Sequence, residues 1–424
     1  MEEQKAPSAL GVVHYHHMDA LRGVFMMVGV FVHTATLGDD PIFDGIAYSS
    51  SLFRMEGFFL ISGFLSAMLV GKYGSGRTIR RRFAAVGTPL LITLVLLNPP
   101  ALWLIYNFHN DPGISLLDYV RGNTIPSPAG ELSWYLHLWF LIALLVYALC
   151  APAAVSLLSR LTSGSPYQWA TANRIRCMTT ITLFVLVITI VIRGGHRAVV
   201  EPVVGTGVHA VLLKHTLDFL PYFLLGVLLY LDRQRLLPSF QRPAPIFLAV
   251  TGLALLASKQ EWVGALSVGT GLVMTETIFT IPLLATIFAA SARLVSRPRP
   301  AWRYLADASY TVYLFHFLWI YIFATLLSLD PTLSTPYMLL ITVLTFCVTL
   351  AIHHFIILRS KFLRMVFNGK FPSKDRRDAS GSTAPDPATT GNTGVDLEQT
   401  QPIFRSGKVA VPDVECTQHL HWTS

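Results

Sequence analysis

Ten long apolar stretches recur along this chain, and no other feature constrains its fold as tightly. They fall at residues 19–37, 50–71, 84–106, 137–159, 178–193, 212–231, 244–258, 267–292, 309–329 and 336–358. A helix of roughly 20 apolar residues crosses a hydrocarbon core of about 30 Å. Within that core the backbone must satisfy its own hydrogen bonds. The sequence therefore predicts an all-α, polytopic membrane protein with about ten transmembrane helices. The fifth and seventh stretches are short for full spans. Of 424 residues, 53% are hydrophobic and only 13% are Asp, Glu, Lys or Arg, about half the charge of a soluble domain. A soluble multi-domain enzyme is excluded.

The net charge is +8. In a membrane protein the placement of charge matters more than its sum, so the bilayer is the expected partner and nucleic acid is not. With the N-terminus inside, the inner loops and the start of the tail hold twenty-two Lys and Arg, among them Lys72, Arg77, Arg80, Arg81 and Arg82. The outer loops hold five: Arg121, Arg193, Arg197, Lys214 and Lys259. That bias predicts both ends in the cytoplasm and an even number of spans. Residues 1–18 lack the apolar core of a cleavable signal, so the first stretch is expected to be retained. Residues 371–424 contain the run SKDRRDASGSTAPDP, too polar to bury a core, and are expected to form a disordered cytoplasmic tail. Cys150, Cys177, Cys347 and Cys416 make no CxxC pair. They predict neither a disulfide framework nor a metal site.

Ionisable groups inside spans are costly and mark function. In the first span, Arg22 and His33 are eleven positions apart. They share one helical face within about 20°, separated by about 16–17 Å along the axis. Arg22 belongs near the inner surface, either as a positive anchor or as a ligand contact. His33 belongs deep, either hydrogen-bonded in packing or catalytic. Asp19 can cap the helix start or pair with Arg22. In the second span, Arg54 and Glu56 lie near the outer end, at a depth His33 can share. They form either an interfacial charge pair or a support that orients the His33 ring. The following Ser62-Gly63 step permits close helix packing.

Further candidates lie beyond that hairpin. The arginines of GKYGSGRTIRRRF suit phosphate, and equally a topology signal or anionic lipid. His137 sits in an aromatic belt with Trp134, Tyr135 and Trp139, or contacts an outer site. The ninth span opens with Asp307 or Ser309 as a cap, and Tyr313 and His316 follow on one face. HYHH at residues 14–17 has no metal-site spacing.

Taken in order, MDALRG with Arg22 and His33, FRMEGFFLISGFL, RTIRRRF, HLWFL and SYTVYLFHF resemble the acyltransferase family 3 membrane proteins over about residues 15–360. The second-span motif looks most similar to the glucan-modifying protein C branch, which succinylates periplasmic glucans and usually carries Pro where Glu56 stands. The resemblance implies a transmembrane acyltransferase domain over 19–360 in the inner membrane. It also implies a cytoplasmic acyl-CoA donor and a glycan or other cell-envelope hydroxyl as acceptor. Arg22 and His33 match the family's first-helix motif, and Arg77 and Arg80 its cytoplasmic arginine motif. His33 is then the expected catalytic base, by direct transfer or through an acyl-histidine. No permanently bound cofactor and no metal are expected. Two rival readings remain: a proton-coupled permease of a small polar solute, which also suits buried Arg and His, and a non-catalytic membrane partner or sensor.

Overall fold

The computed structural model describes residues 15–110, 113–122, 133–205, 207–242, 245–295, 297, 299–327 and 334–370. Segment 1–14, most of the expected N-terminal stretch, and the tail 371–424 lie outside them. Among the described residues there is no strand. Eight helices among these residues are long and apolar enough to cross a membrane, and two bent pairs, each taken as one span, bring the number to ten. Each matches one expected span. Large apolar side chains point outward at mid-helix, such as Leu91 at 63% exposure and Leu157 at 68%. Such exposure is what lipid-facing surfaces require.

Several boundaries differ from expectation, each for a local reason. The third span is broken into Ser75–Leu96 and Asn98–Asn110, bent by 49°. Pro99 and Pro100 have no backbone N–H to continue the ladder, and Asn98 is held there by donating to the Trp134 carbonyl. The arginine-rich segment is helical rather than a loop. It starts after Gly74, whose φ of 77° suits glycine, and runs into a π-turn at Phe83–Gly87. The fifth span is not short: Arg174–Val204 continues through Gly194 and Gly195 and a second π-turn at His196–Val200. The ninth begins at Pro300, nine residues before Ser309. Proline is well placed in a first helical turn, so neither Asp307 nor Ser309 caps it. Ser309 Oγ bonds back to the Ala306 carbonyl at 3.0 Å. The seventh is made of two helices, Arg233–Phe240 and Pro245–Lys259.

The first span (His16–Leu37) and the ninth (Pro300–Leu326) pack along each other at the centre. The tenth (Thr335–Ile357) lies against both. The second span (Pro41–Tyr73) crosses the sixth (Val208–Leu231) backbone to backbone. A Cβ on Gly63 would collide with the Phe223 carbonyl, and one on Gly226 with the Leu60 carbonyl. The expected close packing at Ser62-Gly63 is thus observed. Between the first two spans, Asp40 Oδ1 accepts from the backbone N–H groups of Ile42 and Phe43, both at 3.0 Å, capping the next helix. Its other oxygen accepts from the Thr335 hydroxyl at 2.5 Å, tying this turn to the start of the tenth span.

Candidate active site

At about 100° per residue, Arg22, Met26, Gly29 and His33 stay within about 60° of one another. They form one stripe on the first span. Near its lower end, Arg22 Nη1 lies 3.7 Å from Asp19 Oδ1, the expected i, i+3 pair. Higher up, the Arg54 guanidinium occupies the space a side chain at Gly29 would fill: an ideal Cβ there would lie 2.6 Å from Nη1. Gly29 is one turn below His33. Arg54 accordingly interacts electrostatically with His33 and with Tyr313.

At the top of the stripe three histidines from three spans converge. Ring centroids are 5.1 Å apart for His33 and His316, 5.0 Å for His137 and His316, and 6.0 Å for His33 and His137. Phe317 closes one side, stacked on His137 at 5.1 Å. His137 and His316 are 6% and 2% exposed. His316 Nδ1 donates to the carbonyls of Tyr313 at 2.8 Å and Val312 at 3.1 Å, which fixes its tautomer. Among the described residues its Nε2 has no hydrogen-bond partner, and neither ring nitrogen of His137 has one. Buried polar atoms left unpaired cost about 1–3 kcal/mol each, so this triangle is shaped for a polar guest. The preceding residue, Leu136, has φ of 43°, a strained conformation for a non-glycine residue. His137 is held in place by the Tyr313 hydroxyl, which donates to its carbonyl at 2.8 Å.

A cavity of about 940 Å³ opens beside the lower half of the stripe, large enough for a nucleotide-sized ligand. Asp19, Arg22 and Met26 line it on the first span, with Arg82, Arg299 and Arg303 around it. It ends at Phe58 and Phe140, whose rings meet edge to face at 5.0 Å. Tyr313 lies 5.9 Å from Phe140, and none of the three histidines lines the cavity. Arg82 reaches it because its Nη2 donates to Ser66 Oγ at 3.1 Å. Arg77 and Arg80, on the same short helix, are exposed and do not line it.

Residues 15–354 match the acyltransferase domain family. The chain belongs to acyltransferase family 3. Among curated relatives, the glucans biosynthesis protein C of Escherichia coli is 26% identical over 391 residues, covering 86% of this chain and 96% of that protein. The same-named protein of Shigella dysenteriae is 26% identical over 394 residues with the same coverage. No solved structure matches. This acyltransferase is a multi-pass membrane enzyme, and family membership sets aside the permease and sensor readings.

Of the residues singled out in the sequence, the acyltransferase fold brings His33, His137, His316, Tyr313 and Arg54 together at one depth, and Asp19 and Arg22 to the cavity. Ser309 is buried and does not line the cavity. Glu56 does not reach His33. It lines a separate cavity of about 110 Å³ with Arg193, Asp218, Tyr222 and Glu276. Sequence reasoning missed Tyr310, His353 and Asn368, and did not separate Arg82 from the other arginines of its cluster; all four line the large cavity. His353 had a signal: it is an ionisable residue deep in an apolar stretch.

Proposed function

We propose that this acyltransferase moves an acyl group from cytoplasmic acyl-CoA to a hydroxyl of a glycan or another cell-envelope acceptor. It works in the inner membrane with both chain ends inside. The observation that carries the proposal is the stripe from Arg22 to His33, with an arginine-lined cavity at one end and the histidine triangle at the other. The name shared by its relatives, glucans biosynthesis protein C, supports a glucan acceptor.

The phosphates of the donor meet Arg22 and Arg82 at the cavity, where guanidinium groups form charge-assisted hydrogen bonds. The pantetheine arm passes Phe58 and Phe140 and brings the thioester beside Arg54. His33, in neutral form, takes the proton of the acceptor hydroxyl as its oxygen attacks the thioester carbonyl. Negative charge develops on the carbonyl oxygen, and the Arg54 guanidinium, already desolvated and fixed against Gly29, stabilises it. The tetrahedral intermediate expels the CoA thiolate, and the proton on His33 passes to that sulfur. An ester and free CoA result. His137 and His316 supply hydrogen-bonding atoms for the acceptor through their unpaired nitrogens.

The test is acyl transfer by purified protein in nanodiscs, with succinyl-CoA or acetyl-CoA and an oligoglucan acceptor, read by mass spectrometry of the glucan. Acceptor-dependent release of CoA with matching acylation of the glucan supports the proposal. Absence of transfer from any acyl-CoA, with a folded protein, overturns it.

A further inference from the structure

Thr311, His353 and Asn368 form a hydrogen-bonded chain on the wall of the large cavity, outside the route just described. The Thr311 hydroxyl donates to Asn368 Oδ1 at 3.1 Å, and Thr311 Oγ1 lies 2.8 Å from His353 Nδ1. A hydroxyl has one proton to give. With that proton on Asn368, His353 Nδ1 must donate to Thr311, and its Nε2 carries a lone pair. The chain therefore ends in a bare acceptor, His353 Nε2, and a bare donor, the Asn368 amino group. Both are buried and unpartnered among the described residues, and both residues line the cavity. His353 is 0% exposed and sits in a π-turn, Ile352–Ile357, that ends the tenth span. Such turns concentrate at functional sites.

The position of Asn368 is also fixed. It ends the short helix Lys361–Asn368, and the next residue, Gly369, has φ of 60°. A Cβ on Gly369 would strike the Ala85 backbone, so this segment is seated against the π-turn that follows Arg82. Lys370 then pairs with Asp307 at 2.6 Å. The wall is thus closed by three segments distant in sequence, which is more construction than packing alone requires.

An acceptor and a donor linked through one hydroxyl on the same cavity wall select a ligand edge with the reverse pattern. An adenine edge offers it: an amino N–H next to a ring nitrogen. The amides of a pantetheine arm do not, because a trans amide turns its N–H and C=O in opposite directions. Trp302 lines the same cavity and supplies an aromatic face. Arg299 and Arg303 stand exposed at its rim.

We infer that His353 and Asn368, aligned by Thr311, form a base-reading subsite that binds the adenine ring of the nucleotide-bearing donor. The inference rests on the acyl-CoA donor proposed above and adds a determinant of donor specificity. The phosphates lie toward the arginines and the arm runs inward toward Phe58 and Phe140.

The experiment uses the full chain in nanodiscs with two donors, acyl-CoA and its analogue bearing hypoxanthine in place of adenine. The analogue replaces the 6-amino group with a carbonyl, setting an acceptor against His353 Nε2. The parent is expected to show a KM about tenfold or more higher for the analogue with kcat little changed. In His353→Ala and Asn368→Ala, the KM for acyl-CoA rises toward the analogue's value and the preference disappears. A parent that uses both donors equally overturns the inference, and that measurement does not depend on any variant folding. Variants that keep the parental preference also overturn it, while leaving acyl-CoA as donor intact. A parent that consumes neither donor overturns the donor assignment and this subsite with it.

Discussion

Arg54 lays its guanidinium over Gly29, in the space a side chain would take, one turn below His33. A cation from the second span thereby reaches the Arg22–His33 stripe of the first only because residue 29 has no side chain. Gly29→Leu fills that space and displaces the guanidinium. The expected result is a fall in kcat of about 10²-fold, the scale of a lost oxyanion contact, with donor KM nearly unchanged. Steady-state kinetics at saturating donor check it. Parental kcat in a folded Gly29→Leu enzyme would detach Arg54 from the reaction.

His33→Ala should lower turnover by about 10²–10⁴-fold, the typical cost of a lost general base, in protein that still inserts and binds donor. His33→Gln keeps hydrogen bonding but cannot accept and release a proton near neutral pH. It should be as inactive. Turnover normalised to folded protein separates this from a packing role, which would reduce stability and spare turnover.

The arginines divide by placement. Arg22→Ala and Arg82→Ala should raise the KM for acyl-CoA, since both side chains line the cavity, and lost ground-state contacts act on KM. Arg22→Lys should restore only part, because a point charge cannot reproduce a forked contact. Arg77→Ala and Arg80→Ala, on the exposed side of their helix, should change it little. Equal effects from all four would assign donor binding to the whole basic patch.

Asp40 lies between the first two spans. The Thr335 hydroxyl and the Phe43 and Ile42 N–H groups hold its carboxyl below the usual carboxylate range. A depressed pKa contributes stability that is full above the unfolded value of about 3.9 and is lost as pH falls through the folded one. Asp40→Asn should therefore melt below the parent near neutral pH, with the gap closing under acid below about pH 4. Thermal unfolding in detergent across that range checks the sign; a gap that widens in acid would contradict it.

The ten spans were legible because lipid imposes length and composition on each segment separately. The pairing of Arg22 with His33 was legible because both lie on one helix and obey its period. What the sequence withheld is contact across helices. His137 and His316 were each visible, but nothing local places them around His33. Glu56 was expected at the His33 ring because it shares a helix end with Arg54. Two positions along a helix is about 200° around it, which turns Glu56 toward the small cavity instead. Arg82 was hidden for a related reason. While its segment reads as a loop, no helical phase distinguishes it from Arg77 and Arg80.

The crossing at Gly63 and Gly226 has a mechanical consequence. Two backbones in such contact cannot slide past each other without a carbonyl striking a Cα, so the crossing joins the second and sixth spans into one jaw. Phe58 is mounted on that jaw. Its opposite number, Phe140, stands on the fourth span (Leu136–Thr162), which has no glycine to lock it. On the route proposed above, the donor arm therefore passes between Phe58, carried by a backbone crossing, and Phe140, carried by a helix held through side-chain contacts such as the Tyr147 hydroxyl donating to the Thr216 carbonyl.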